Sequence, residues 1–148
     1  MATTPEDARA RDEVRQLIDD QMRAIRAKDL DRLMSHYAAD VVVFNLRPPF
    51  QIQGAEAWGR VWEAGLAHFP DAFQTEMRDL SVTASGDLAL AHWLWRFTEM
   101  DKDHPAVRTW MRNTAGCRRT RGGWQIVHEH ISVPFNPETG RAAFTRDL

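Results

Sequence analysis

Near the end of the chain, a carboxylate flanked by two histidines, His128-Glu129-His130, lies inside an apolar run from Trp124 to Pro134. A carboxylate held in an apolar wall has its pKa raised by desolvation, which suits proton transfer near neutrality. Strand alternation sorts the run into two sets. One holds Trp124, Ile126, His128, His130 and Ser132; the other holds Gln125, Val127, Glu129, Ile131 and Val133. Each mixes apolar bulk with groups that titrate or hydrogen-bond, so the strand is expected to be covered on both faces. With the second set inward, Glu129 is the acid or base; with the first inward, His130 takes that role. A competing account pairs Glu129 with Arg96, which would keep the carboxylate ionised and inert. His128 and His130 could ligate a metal only with a third ligand, and the sequence offers no obvious one. Their spacing is not the His-Glu-x-x-His of helical zinc sites. No metal and no cofactor are expected.

The elements that must position these groups can be read in order. Val14, Leu17, Ile18, Met22 and Ile25 fall at helical spacing and predict a helix over about 6–28. Asp29 caps a second helix with Leu30, Leu33, Met34 and Tyr37 on one stripe. The run Val41 to Phe44 predicts a strand, broken at Pro48-Pro49 and resumed near Gln51 to Gln53. A third helix carries Trp58, Val61, Trp62, Leu66 and Phe69 and stops at Pro70. Strands then cover 73–84, 88–100 and 107–120, followed by the opening run. This order predicts an α+β fold: a curved antiparallel sheet with three N-terminal helices packed over its concave face. Gly116 inside a long strand supports strong curvature. The shape is a cone with a wide end that the core cannot fill. A single domain spans 1–148, with its core at about 6–134 and a polar tail, 135–148, over the surface or across a partner.

A length of 148 residues and a 43% hydrophobic content suffice for one core without disulfides. The formal charge of −2 argues against nucleic-acid binding. The single Cys117 gives no disulfide evidence for secretion. Its neighbouring arginines would lower a thiol pKa, yet nothing nearby forms a Cys–His pair, so it is read as a strand residue. No signal core and no stretch of ~20 apolar residues is present, so no membrane partner and a cytoplasmic location are expected.

The motifs Asp29-Leu30-Asp31, Tyr37-Ala38-Ala39-Asp40, Gly86-Asp87-Leu88-Ala89 and Gly123 to Ser132 come in an order that resembles the nuclear transport factor 2-like superfamily. They resemble its SnoaL-like and ketosteroid-isomerase-like branches most closely. The last run is also similar to the association domain of calcium/calmodulin-dependent protein kinase II. The resemblance covers about 6–134 and implies the cone. It says little about chemistry, because the superfold hosts isomerases, cyclases, dehydratases and assembly modules. Asn45 stands where ketosteroid isomerases place their carboxylate base, and an amide cannot take a proton from carbon. Gln21 stands for their enolate-stabilising tyrosine, and their protonated aspartate falls near Asn113 to Ala115. Arg96 matches one arginine of the kinase pocket, while Ala115 and Ile131 replace two others.

Aligned this way, the concave face takes His92, Leu94 and Arg96, then Met111, Asn113 and Ala115, then Val127, Glu129 and Ile131. Glu129 or His130 is expected as acid/base, with Arg96 and Asn113 orienting an oxygen. Asn45, Trp58, Trp62, His92, Met111, Ile131 and Tyr37 are expected to line a small-molecule pocket. Trp93, Trp95 and Trp110 fall on the opposite face, where an aromatic band predicts a homodimer seam. Two functions follow. One is a cofactor-independent isomerase, cyclase or dehydratase acting on a small apolar carbonyl compound. The other is a non-catalytic ligand-binding or assembly module. A solvent-connected cavity with an unpaired Glu129 favours the enzyme; a sealed one, or a Glu129–Arg96 bridge, favours the module.

Overall fold

The computed structural model describes residues 3–148. Helix α1 (Pro5–Arg26) begins where Thr4 caps it, its hydroxyl accepting from Asp7 N at 3.0 Å. Acidic Glu6 and Asp7 open the helix and Arg23 and Arg26 close it, each complementing the helix dipole. The predicted stripe of Val14, Leu17, Ile18, Met22 and Ile25 is buried, and Gln21 is buried among it. Helix α2 (Leu30–Met34) is capped by Asp29, as expected, but is only 5 residues long. Tyr37 therefore does not lie on its stripe; it opens strand β1 (Tyr37–Phe44), because pairing with the last long strand begins there. Asp40 lies within β1 and is exposed.

Strand β2 (Ile52–Gln53) precedes helix α3 (Ala55–Leu66). The long strands β3 (Gln74–Ser85), β4 (Leu88–Thr98), β5 (Met111–Thr120) and β6 (Gly123–Ser132) follow. Gly86, at φ +60°, makes the β3–β4 turn, and Gly123, at φ +111°, starts β6 after its turn. The sheet order is β2-β1-β6-β5-β4-β3. It is mixed rather than antiparallel, because β1 runs parallel to β6. These two strands are far apart in sequence, so no hairpin dictates their direction.

Two irregularities bend the sheet. On β3, Asp79 at φ +57° sits in a bulge between Arg78 and Ser81. On β6, Gly116 opposes His128 while Cys117 opposes Ile126, which leaves Val127 as the extra residue. Gly116, predicted to mark curvature, lies at that bulge.

Helices α1 and α3 pack against the sheet, and their apolar faces join one core. The tail after β6 forms the small hairpin β7 (Phe135–Asn136) with β8 (Arg141–Ala142). It then returns over the chain's own surface, where Trp110 N donates to Thr145 O at 2.7 Å and Trp110 Nε1 to Arg146 O at 3.0 Å.

Helix α3 is held at its start by backbone alone, Gly54 N donating to Val41 O at 2.7 Å. Its N-cap, Gly54 at φ +91°, offers no side-chain bond, and Gly59 and Gly65 interrupt its interior. A methyl group at Gly65 meets nothing within 4 Å. Gly65→Ala is expected to raise stability by about 0.5–1 kcal/mol, read as a higher denaturant midpoint. A lower midpoint would show that the helix needs this glycine.

Candidate functional site

The β6 bulge decides which groups of the His-Glu-His run face inward. Before it, Trp124 and Ile126 are buried; after it, the phase shifts and Glu129 and Ile131 are buried instead. Each alternating set read from the sequence is thus divided between the two faces. His128 and His130 lie outside. His128 Nδ1 donates to Val42 O at 2.7 Å, His130 is exposed, and both rings meet the edge of Phe44. His130 is not a base in the interior.

Glu129 is 1 % exposed and is held by two neighbours. The Tyr37 hydroxyl donates to its carboxylate, 3.0 and 3.1 Å from the two oxygens, and Gln21 Nε2 donates to Oε2 at 3.1 Å. The same Gln21 nitrogen donates to Tyr37 Oη at 2.6 Å, so its two N–H bonds tie α1 to both β1 and β6. Burial pushes the Glu129 pKa up to about 7, against the bonds from Gln21 and Tyr37 and the nearby Asn113 amide, which pull it down. Burial first, and then the Glu129 charge, hold the Tyr37 hydroxyl well above its ordinary range. Burial thus favours the protonated form of Glu129 up to about neutral pH, while Tyr37 keeps its proton.

Asn113 lies on the same wall, 3 % exposed. Trp95 Nε1 donates to its Oδ1 at 3.2 Å, which turns Asn113 Nδ2 away from Trp95. That Nδ2 influences Glu129 but falls short of hydrogen-bond geometry. Gln21 Oε1 and the indole N–H groups of Trp58, Trp62 and Trp93 are also buried without a partner. Trp58 stands edge-on to Tyr37 with centroids 6.4 Å apart, and Trp62 packs on Trp58 at 5.7 Å. Met111 and Ile131 complete the apolar wall.

The β4–β5 ladder corrects the other half of the expected face. Trp93 opposes Asn113 and Trp95 opposes Met111, so these tryptophans point inward. His92 is consequently exposed on the outer face. Arg96 lies outside as well, where its guanidinium donates to Glu76 at 2.7 and 2.9 Å and sits 4.7 Å from the Trp110 ring centroid. Trp93 and Trp95 therefore form no outer aromatic band, and Trp110 is covered by the chain's own tail and arginines. Asn45 lies beyond the end of β1, half-buried. Cys117 faces inward, and burial together with the Glu129 charge pushes its thiol up to about 12, opposite to the lowering its arginine neighbours suggested.

Arg96→Ala is expected to cost about 1 kcal/mol of stability and to leave Glu129 chemistry unchanged. A loss of ligand binding in a folded Arg96→Ala protein would bring Arg96 back into the site.

Neither of two clefts at the surface includes Glu129. One, about 270 Å³, lies between α1 and β3, lined by Asp19, Met22, Arg23, Arg26, Thr75 and Met77. The other, about 380 Å³, is bordered by Glu13, Asp20, His36 and Trp124. Around Glu129 the space is taken up by Trp58, Trp93 and Trp95, each 2 % exposed. Glu129 is thus unpaired with Arg96, and the site is closed to solvent. Sequence reasoning missed Trp93 and Trp95 as site residues and reached Gln21 only through the resemblance, at the position of an enolate-stabilising tyrosine. An amide on the apolar stripe of α1 was the available signal for Gln21.

The chain matches a model of the SnoaL-like domain over residues 14–136. No curated protein matches it. Among solved structures, it is similar to an NTF2-like protein of unknown function from Pseudomonas putida KT2440, at 39% identity and a TM-score of 0.83 over 93% of this chain and 95% of that one. A proposed dehydratase of the NTF2-like family from Streptomyces avermitilis shares 22% identity, with a TM-score of 0.74 over 90% of this chain and all of that one. A proposed calcium/calmodulin-dependent protein kinase type II association domain from Thiobacillus denitrificans ATCC 25259 shares 21%, with a TM-score of 0.66 over 81% of this chain and 93% of that one. Helices over a bent mixed sheet, an inward carboxyl on its last long strand and these matches agree: the chain belongs to the SnoaL-like family of the NTF2-like superfamily.

Proposed function

We propose that the protein binds a small apolar carbonyl compound inside the cone and moves a proton on it, as a cofactor-independent isomerase, cyclase or dehydratase. Glu129 is the acid/base. Tyr37 and Gln21 are positioning residues that hold its carboxyl and set its proton affinity. The observation that carries this reading is a buried carboxyl with a pKa of about 7 that no cation neutralises. An inert structural carboxylate would be ion-paired and acidic; this one has no cation against it, and burial raises its pKa to about 7. Ligand access would have to displace α3, whose Trp58 stands edge-on against Tyr37.

The closed interior favours a second reading, a non-catalytic binding or assembly module of the same fold. Deuterium exchange separates the two. A panel of cyclic ketones is incubated with protein in heavy water and analysed by mass spectrometry for label at the carbon next to the carbonyl. Glu129-dependent labelling supports the enzyme; ligand binding with labelling no faster than buffer supports the module. The homodimer expected from an outer tryptophan band loses that support, because Trp93 and Trp95 point inward; analytical ultracentrifugation measures the oligomeric state.

A further inference from the structure

The structure assigns a separate binding site to the cleft between α1 and β3: a seat for a small organic oxyanion, a carboxylate or phosphate monoester with a short apolar tail. It stands apart from Glu129. On α1, Gln21 turns towards Glu129, whereas Met22, Arg23 and Arg26 line the cleft, about 270 Å³, together with Thr75 and Met77 of β3. β3 is the edge strand of the sheet, so no further strand covers the opening.

The cleft holds more donors than the protein uses. Arg26 Nη1 donates to Thr75 Oγ1 at 2.8 Å, which lays the guanidinium on β3. Thr75 accepts that bond, so its hydroxyl proton is left to donate. Among the described residues, neither Arg23 nor Arg26 forms an ion pair. The α1 dipole favours cations at this end, but the last carbonyls of the helix are already taken. Arg23 O accepts from Ala27 N at 3.0 Å and Ala24 O from Asp29 N at 2.9 Å, so no guanidinium is needed to satisfy them. Two like charges three residues apart on a helix repel each other, and an anion held between them reverses that. The guanidinium fork fits the paired oxygens of a carboxylate or phosphate.

The rest of the lining sets the tail and the size. Met22, 4 % exposed, and Met77 give the cleft an apolar floor, and flexible thioethers adapt to a short chain. Met77 is the register partner of Trp95, which is 2 % exposed and closes the way inward. A volume of about 270 Å³ is near the lower limit for ligand sites, ~300–1,000 Å³, so the ligand is a head group with a few carbons. Asp19, exposed at the rim, is the acid of the lining. It stands four residues before Arg23 without pairing to it, so two cations against one carboxylate leave the cleft positive. An amine would meet those cations.

The test is isothermal titration calorimetry on the intact protein at low salt with hexyl phosphate, hexanoate, hexanol and hexylamine. Hexyl phosphate and hexanoate are each expected to bind about tenfold more tightly than hexanol, and hexylamine no more tightly than hexanol. The tighter of the two anions identifies the head as a phosphate ester or a carboxylate. Inorganic phosphate, which lacks the tail, should bind about tenfold more weakly than hexyl phosphate. Arg23→Gln and Arg26→Gln should each weaken hexyl phosphate about tenfold, and Asp19→Asn should tighten it about twofold. Arg23 is exposed and holds no partner, so its replacement leaves the fold intact. Arg60→Gln removes the same charge from the surface of α3, where Arg60 pairs with Glu56, and should change nothing. Hexanol binding as tightly as the anions overturns the assignment, as does inorganic phosphate binding as tightly as hexyl phosphate. So does binding of neither anion, or an equal loss in Arg60→Gln and Arg23→Gln. Glu129→Gln should bind hexyl phosphate as the wild type does, so this result and the ketone labelling succeed or fail separately.

Discussion

Glu129→Gln will flatten the pH dependence of stability between pH 4.5 and about pH 7. On folding, the Glu129 carboxyl rises from its ordinary 4.5 to about 7, because burial disfavours its charge. In that window the folded protein holds a proton that the unfolded chain has released, so wild-type stability falls as pH climbs from 4.5 towards 7 and levels off above it. A shift of this size corresponds to about 3 kcal/mol across the window. Asp20 acts in the opposite direction. Its hydrogen bond to Arg32 holds its pKa down, so its contribution is present at neutral pH and lost only on acidification. Subtracting the variant's curve from the wild type's removes Asp20 and isolates Glu129. Urea midpoints at several pH values supply both curves. Parallel curves would mean that Glu129 is ionised in the folded protein throughout, and the acid/base proposal would lose its basis.

The same substitution should lower ketone labelling by about 10²–10⁴-fold, the range typical for losing a positioned general base. With Glu129 as base, the wild-type rate should rise with pH and reach a plateau above about 7, where the carboxylate predominates. Tyr37→Phe adds a directional check. The Tyr37 hydroxyl stabilises the ionised carboxyl, so its removal should move the rate's midpoint to higher pH while the protein stays folded. A purely structural tyrosine would lower stability and leave the midpoint in place. Residual activity equal to wild type in Glu129→Gln would assign the proton transfer to another group.

Much of the architecture was legible from local signals. The stripe of α1, the Asp29 cap, the turns at Gly86 and Gly123 and the order of the long strands each follow from neighbouring residues. The candidate acid was legible too, because Glu129 is a carboxylate among Ile126, Val127 and Ile131. Asn113 came through the resemblance, near the position of a protonated aspartate, and Tyr37 and Trp58 were expected in the pocket wall.

Which face each strand shows was a different matter. Alternation predicts a face only while the ladder is regular, and one extra residue reverses it. Val127 is that residue, and it lets Trp124 and Glu129 point the same way although they belong to opposite alternating sets. On β4, His92 and Arg96 alternate with Trp93 and Trp95, and each set is plausible inside. The pairing of Trp93 with Asn113 chose the tryptophans, and Arg96 went to Glu76 and Trp110. The parallel run of β1 beside β6 was equally out of reach, since it joins segments with most of the chain between them. Local residue types therefore determined the elements and nominated the acid. Tertiary pairing decided what surrounds it, because register is a property of two strands and cannot be carried by either one alone.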